Sequence, residues 1–263
     1  MKKLLLQGLG FLAIVAAIWI LLSQVNFMEL FNIETNKQNT EQKLGKLFWD
    51  SIRNSEYVIP NDSVNKAVKK IVTRIEKHND FGDLNIKIHV IQRDDVNAFA
   101  MPGDRIILYS GLINSCKSEA ELAGVIAHEM AHIKNRHVMK KMSQEIGFSV
   151  LFSLATGGQG GEVLQSALRV LSSSAYDRSM ETEADLAAVD YLIDSEIDPA
   201  PFADFLYKMA VETDLPSQVY WISSHPESEE RALEASNYMS DRKIKARPIL
   251  SEKEWTQLKN HLK

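Results

Sequence analysis

Ser118 to Arg136 is the stretch that leaves this chain least freedom, because it contains no proline and only one glycine, Gly124. Ser118-Glu119-Ala120-Glu121 has capping-box spacing: the Ser118 hydroxyl takes an early helix amide and Glu121 reaches back to the Ser118 amide. Leu122, Val125, Ile126, Met130 and Ile133 recur at helical spacing, which predicts a largely buried helix over 118–136. Within it lies His128-Glu129-Met130-Ala131-His132. Two histidines four apart on a helix stand one turn above each other, so both imidazoles can reach one metal ion. Glu129 then projects beside that ion, within range of a water. Buried imidazole nitrogens need polar partners, and ligation is one way to satisfy them. Gly124 lies one turn before His128 on the same face, where it leaves room either for substrate or a strand, or for a close neighbouring helix.

A catalytic zinc ion usually has three protein ligands and one open position. The helix supplies two, and the third is to be sought among downstream His, Glu or Asp. Asp177 to Asp185 opens an acidic, helix-compatible stretch that continues to about Ile193. Glu181 and Asp185 are four apart and share a helix face, so one can bind the metal while the other accepts the free N–H of a ligand histidine. Glu183 faces elsewhere. An acidic helix start also serves the helix dipole alone.

H-E-M-A-H followed by E-T-E-A-D resembles the gluzincin metalloendopeptidases. More narrowly, it resembles the family containing the CAAX prenyl proteases, the heat-shock membrane protease HtpX and the periplasmic β-barrel-assembly-enhancing proteases. Asn97-Ala98-Phe99-Ala100-Met101-Pro102-Gly103-Asp104-Arg105-Ile106 resembles that family's N-A-F-A-x-P-G-G-x-I element, with Asp104 for the usual second Gly. Asp177-Arg178 stands where the family commonly has Ser-Arg, and His225-Pro226 with Arg231 resembles its H-P-x-x-x-x-R element. The resemblance implies one zinc ion held by His128, His132 and Glu181, with Glu129 as general base and Asp185 as supporting carboxylate. It makes His225 and Arg231 the candidates for steadying a tetrahedral oxyanion, with His225 a hydrogen-bond donor, a resting fourth ligand, or both. The structural alternative is that His225-Pro226 marks a turn and Arg231 sits in a salt bridge. A donor set of nitrogen and oxygen without thiolate suits Zn²⁺.

Residues 84–91 alternate polar and apolar and 105–109 are β-rich, which predicts a small sheet. Asn97, Ala98, Phe99 and Ala100 between them are expected, mainly from the resemblance, to form an edge strand that holds a substrate backbone. Helical patterns fall at about 41–54, 63–78, 118–136, 138–155, 162–174, 180–194, 200–212, 226–240 and 252–261. The expected class is therefore α+β: a mostly helical zincin-type domain over 41–263 with one small sheet. Gly157 to Gly161, with residue 159 a Gln, separates two apolar helical stretches as a packed hairpin or a flap.

Leu4 to Leu22 has Gln7 as its one strongly polar residue and approaches the length of a membrane span. Leu22-Ser23-Gln24 is a poor cleavage site, so residues 1–23 are expected to be a retained anchor and 24–40 a tether. Lys2 and Lys3 before the span place the N-terminus in the cytoplasm and the catalytic domain outside it, in the periplasm or on the outer surface. Cys116, the only cysteine, is expected to be a buried thiol. A net charge of -5 without a basic cluster argues against nucleic acid as partner. The expected activity is a membrane-anchored zinc endopeptidase acting on unfolded or misassembled extracytoplasmic proteins. The alternatives are a chaperone-like module with a latent zinc site, and an aminopeptidase on the same scaffold.

Overall fold

A computed structural model describes residues 33–158, 160–211, 221–226 and 229–262. The chain divides into compact units at 1–40 and 41–263, and apart from residues 33–40 the architecture that follows is that of the second. It is mostly helical with one three-stranded sheet. Two helices, α1 (Ile33–Ser55) and α2 (Asp62–His78), lead into β1 (Lys87–Ile91), β2 (Ala98–Met101) and β3 (Arg105–Tyr109). The remaining helices follow in chain order: α3 (Ser110–Ser115), α4 (Glu119–Lys134), α5 (His137–Glu145), α6 (Phe148–Ala155) and α7 (Gly161–Ser173), then α8 (Arg178–Asp194), α9 (Ala200–Val211), α10 (Trp221–Ser224), α11 (Glu229–Met239) and α12 (Glu252–Asn260). No helix among the described residues is long and apolar enough to cross a membrane. The span expected at 4–22 lies outside the described residues.

Two boundaries differ from expectation for local reasons. Helix α1 starts at Ile33, inside the expected tether, because Glu34, Lys37, Gln38 and Gln42 are good helix formers even without an apolar period. The single helix expected over 138–155 is two, because Gly147 takes φ 90°, a backbone state that glycine adopts without steric penalty. The short helices α3 and α10 were also not anticipated; four to six residues carry too little periodicity to register.

Sheet order is β1-β3-β2, with β1 parallel and β2 antiparallel to β3, so β2 is an edge. The turn from β2 to β3 needs two left-handed residues, Gly103 at φ 77° and Asp104 at φ 58°. Aspartate tolerates that conformation, and here its carboxylate also accepts from Gln42 Nε2 at 3.2 Å.

Helix α4 runs through the middle of the unit, against α8, α9 and β2. Every residue from Glu121 to Ile133 is buried, as expected of a helix with neighbours all round. Its capping box is half formed: Ser118 Oγ accepts from the Glu121 amide at 3.2 Å, but Glu121 Oε2 accepts from the Lys117 amide instead, at 2.7 Å. Cys116 is buried, and burial pushes its thiol pKa well up. Gly124 serves close helix packing, since a Cβ there would lie 2.4 Å from Phe202 Cβ on α9. That atom is fixed to backbone and cannot swing away. Gly124→Ala is therefore expected to cost about 1–3 kcal/mol and to lower the thermal midpoint by several degrees. An unchanged melting curve would remove the packing role.

Candidate metal centre

Because α4 is surrounded, its polar residues have to find partners inside the protein. His128, Glu129 and His132 are all 0% exposed. Helix α8 presents Glu181 and Asp185 to them from one face, both 1% exposed, and His225 enters from the end of α10, also fully buried. His128, His132, Glu181 and His225 each offer one ligand atom, and these four atoms lie within 4.8 Å of one another. Among the described residues this is the one group able to hold a metal ion.

The cluster has the geometry of a cation site. His128 Nε2 lies 3.0 Å from His132 Nε2 and 3.2 Å from His225 Nδ1. Glu181 Oε1 lies 3.0 Å from His225 Nδ1 and 3.4 Å from His132 Nε2. Three imidazole nitrogens and a carboxylate aimed at one point make a nitrogen–oxygen set that fits zinc.

The far side of each ring is occupied. His128 Nδ1 lies 3.0 Å from Asp185 Oδ1. His132 Nδ1 lies 3.0 Å from His137 Nδ1, whose Nε2 is 3.3 Å from Glu183 Oε2. Such contacts fix which ring nitrogen is left for the centre. His137 was missed from sequence because no helical spacing links it to His132. The chain reverses at Arg136, with φ 58°, and brings His137 back over α4. Glu183 does face away from the cluster, as expected, yet it supports His137.

Electrostatics prepare the donors unequally. Burial would raise the Glu181 pKa, but the His225 and His132 imidazoles hold it well below the usual carboxylate range. Burial holds His132 well below its ordinary value, so this ring is neutral, as a ligand must be. Burial acts on His128 in the same sense, but Asp185 outweighs it and raises that pKa.

Arg231 is paired with the two carboxylates of α8. Its Nε and Nη2 donate to Asp185 Oδ2 and Oδ1 at 2.7 and 2.8 Å. Its Nη1 donates to the Pro226 carbonyl at 2.9 Å and lies 2.9 Å from Glu181 Oε2. Arg231 thus sits in a salt bridge, as its structural alternative supposed. His225 both joins the donor cluster and, through Nε2, lies 3.3 Å from Glu129 Oε1. It directly follows the one-turn helix α10, its amide donating to the Trp221 carbonyl at 2.8 Å.

Glu129 is tied to the sheet. Its Oε2 accepts from the Ala100 amide at 2.6 Å. The Asn97 carbonyl bonds the Tyr109 amide of β3, so by antiparallel alternation the Ala98 and Ala100 amides point to the free edge. That edge runs past Glu129. It is not open to solvent, since Asn97 to Met101 are buried and α7 packs on β2. Asn97 Nδ2 donates to the Ser172 carbonyl of α7 at 3.2 Å.

A family model described as peptidase family M48 matches residues 62–239, and the chain belongs to that family. It is 32% identical over 199 residues to the metalloprotease LoiP of Escherichia coli, covering 73% of this chain and 74% of that one. It is 28% identical to the mitochondrial metalloendopeptidase OMA1 of Schizosaccharomyces pombe, covering 68% of this chain and 54% of that one. With the β-barrel assembly-enhancing protease of Escherichia coli it shares 26% identity over 75% of this chain and 43% of that one. The chain thus spans about half the length of the last two relatives.

Proposed function

We propose that this chain is a zinc-dependent endopeptidase, held to a membrane by residues 4–22, with its catalytic unit outside the cytoplasm. Its substrates on this reading are unfolded or misassembled envelope proteins. The observation that carries the hydrolytic part is the convergence of four buried donors beside Glu129, which is itself bonded to the edge strand. Its family membership and relatives named as metalloproteases support the same reading. The anchor and the compartment rest on the N-terminal sequence alone.

His128, His132 and Glu181 would hold the zinc, with His225 as a fourth donor that a substrate displaces. Zinc, when bound, lowers the pKa of water and polarises a carbonyl. Glu129 takes the proton from the attacking water and delivers it to the leaving amine. Once the buried edge of β2 is uncovered, a substrate strand pairs with it, and the Ala100 amide passes from Glu129 to the substrate backbone. His225, released from the donor cluster, donates to the developing oxyanion. Asp185 and the His137–Glu183 pair keep the two α4 imidazoles in register.

Glu181→Ala is expected to lose the stoichiometric zinc that the parent carries, measured by elemental analysis after gel filtration. A full equivalent retained in the Glu181→Ala, His225→Ala double variant would place the third ligand elsewhere. The burial of every donor supports a second reading, a chaperone-like module with a latent site. Incubation with an unfolded protein separates the readings: internal cleavage abolished by a chelator supports the endopeptidase, and N-terminal trimming alone supports an aminopeptidase. Protection from aggregation without cleavage supports the chaperone.

A further inference from the structure

One buried cation near the centre takes no part in the chemistry above. Lys141 on α5 is 3% exposed, and its Nζ has no hydrogen-bond partner among the described residues. The Tyr176 hydroxyl, in the link between α7 and α8, is also buried and unpartnered. The two belong together: Lys141 Nζ sits 4.0 Å from the centroid of the Tyr176 ring. Glu145, one helical turn after Lys141, is exposed, and the charges of Glu129, Glu181 and Glu145 act on Lys141 from a distance, none of them hydrogen-bonded to its Nζ. An ammonium and a hydroxyl removed from water without acceptors are costly to hold. The cation–π contact returns only part of that cost.

Their position relates them to the metal centre. The Tyr176 phenol also stacks on His132, with centroids 4.0 Å apart and an interplanar angle of 20°. One ring thus touches both Lys141 and a predicted zinc ligand. Extended peptide advances about 3.3 Å per residue, which puts Lys141 within reach of side chains close to the scissile bond. Burial also lowers the Lys141 pKa to about 8, which leaves it mostly charged at neutral pH.

We propose that Lys141 Nζ and the Tyr176 hydroxyl form an anion subsite, which binds the carboxylate of an Asp or Glu side chain within two residues of the cleaved bond. This deepens the peptidase reading and rests on it. Ammonium and hydroxyl donors without acceptors then meet the oxygens of one carboxylate, and the buried ammonium gains a hydrogen-bonded partner only when substrate is present. Lys141 and Tyr176 share the burial of the ligands, so an opening that admits a peptide to His132 admits it to them. Specificity follows from the empty state: a neutral side chain leaves the ammonium unpaired.

The test uses the full zinc-loaded chain and synthetic peptides that differ only in Glu or Gln at the two positions on each side of a central bond. Binding is read by fluorescence anisotropy on the Glu129→Gln protein, and cleavage on the parent by mass spectrometry. Glu peptides are expected to bind about tenfold or more tightly than their Gln counterparts. Lys141→Met should erase that preference, Lys141→Arg should keep part of it, and Tyr176→Phe should weaken it severalfold. Zinc content should not change, and the melting point of Lys141→Met should stay level or rise, because an unpaired buried charge is gone. Equal binding of the two peptide sets by the parent, or a preference that survives Lys141→Met, overturns the subsite. A large melting loss with the preference intact does the same and makes Lys141 structural. If Lys141→Met does not fold, an unchanged preference in Tyr176→Phe and Lys141→Gln overturns it. Cleavage without acidic preference defeats the subsite alone, whereas Lys141-dependent binding without any cleavage defeats the peptidase reading alone.

Discussion

Glu129→Gln is expected to lower the rate of peptide hydrolysis by about 10³-fold while the protein still folds and carries its zinc. The argument starts from position. Glu129 is fully buried and lies between the donor cluster and the edge strand, with Oε2 on the Ala100 amide and Oε1 3.3 Å from His225 Nε2. Glutamine has the same shape, and its carbonyl oxygen can still accept from Ala100, so the packing of α4 against β2 survives. It cannot accept a proton at neutral pH, and positioned general bases contribute about 10²–10⁴-fold. The measurement is cleavage of an unfolded protein by parent and variant at matched zinc content, with circular dichroism to check the fold. Activity within tenfold of the parent would take the general-base role from Glu129. Zinc lost together with activity would make the result a failure of assembly rather than of proton transfer.

Arg231→Met should be the most destabilising single change to the site. The guanidinium forks onto Asp185 and also meets Glu181, all three at most 2% exposed. Methionine fills similar volume but leaves two buried carboxylates without their shared cation. Breaking a buried ion pair from one side costs about 3–5 kcal/mol, a fall of roughly 6–20 °C in melting temperature for a unit of this size. Zinc should narrow the deficit, because a cation at the cluster partly replaces the lost charge beside Glu181. Arg231→Lys should fall between, as an ammonium cannot fork onto both Asp185 oxygens. Thermal melts of metal-free and zinc-loaded protein test this. A shift below about 2 °C in the metal-free protein would show that the contact contributes little.

Much of the centre was legible before any coordinates because its residues lie close in sequence on regular elements. His128 and His132 share one helix and Glu181 and Asp185 another, so the periodicity that predicts each helix also predicts which side chains converge. The edge strand at 98–101 was expected mainly from the family resemblance. The supports that come from elsewhere could not be read this way. His137 reaches His132 only because Arg136 turns the chain back, and Tyr176 and Lys141 stack beyond that ring from two separate segments. Arg231 was noted from the H-P-x-x-x-x-R pattern, but spacing alone could not say whether it faced substrate or two carboxylates.

Local chemistry thus specified the His128/His132 pair and the Glu181/Asp185 face: a helix repeat of 3.6 residues puts side chains four apart on one face, whatever surrounds them. Where those donors stand relative to everything distant came from packing. Enclosure of α4 by α8, α9 and β2 forces its polar side chains to be satisfied internally, and so sets the partners of Glu129, His132 and Asp185. Apart from His137, those partners lie tens to a hundred residues away, and no short-range pattern encodes a contact that only the assembled core brings about.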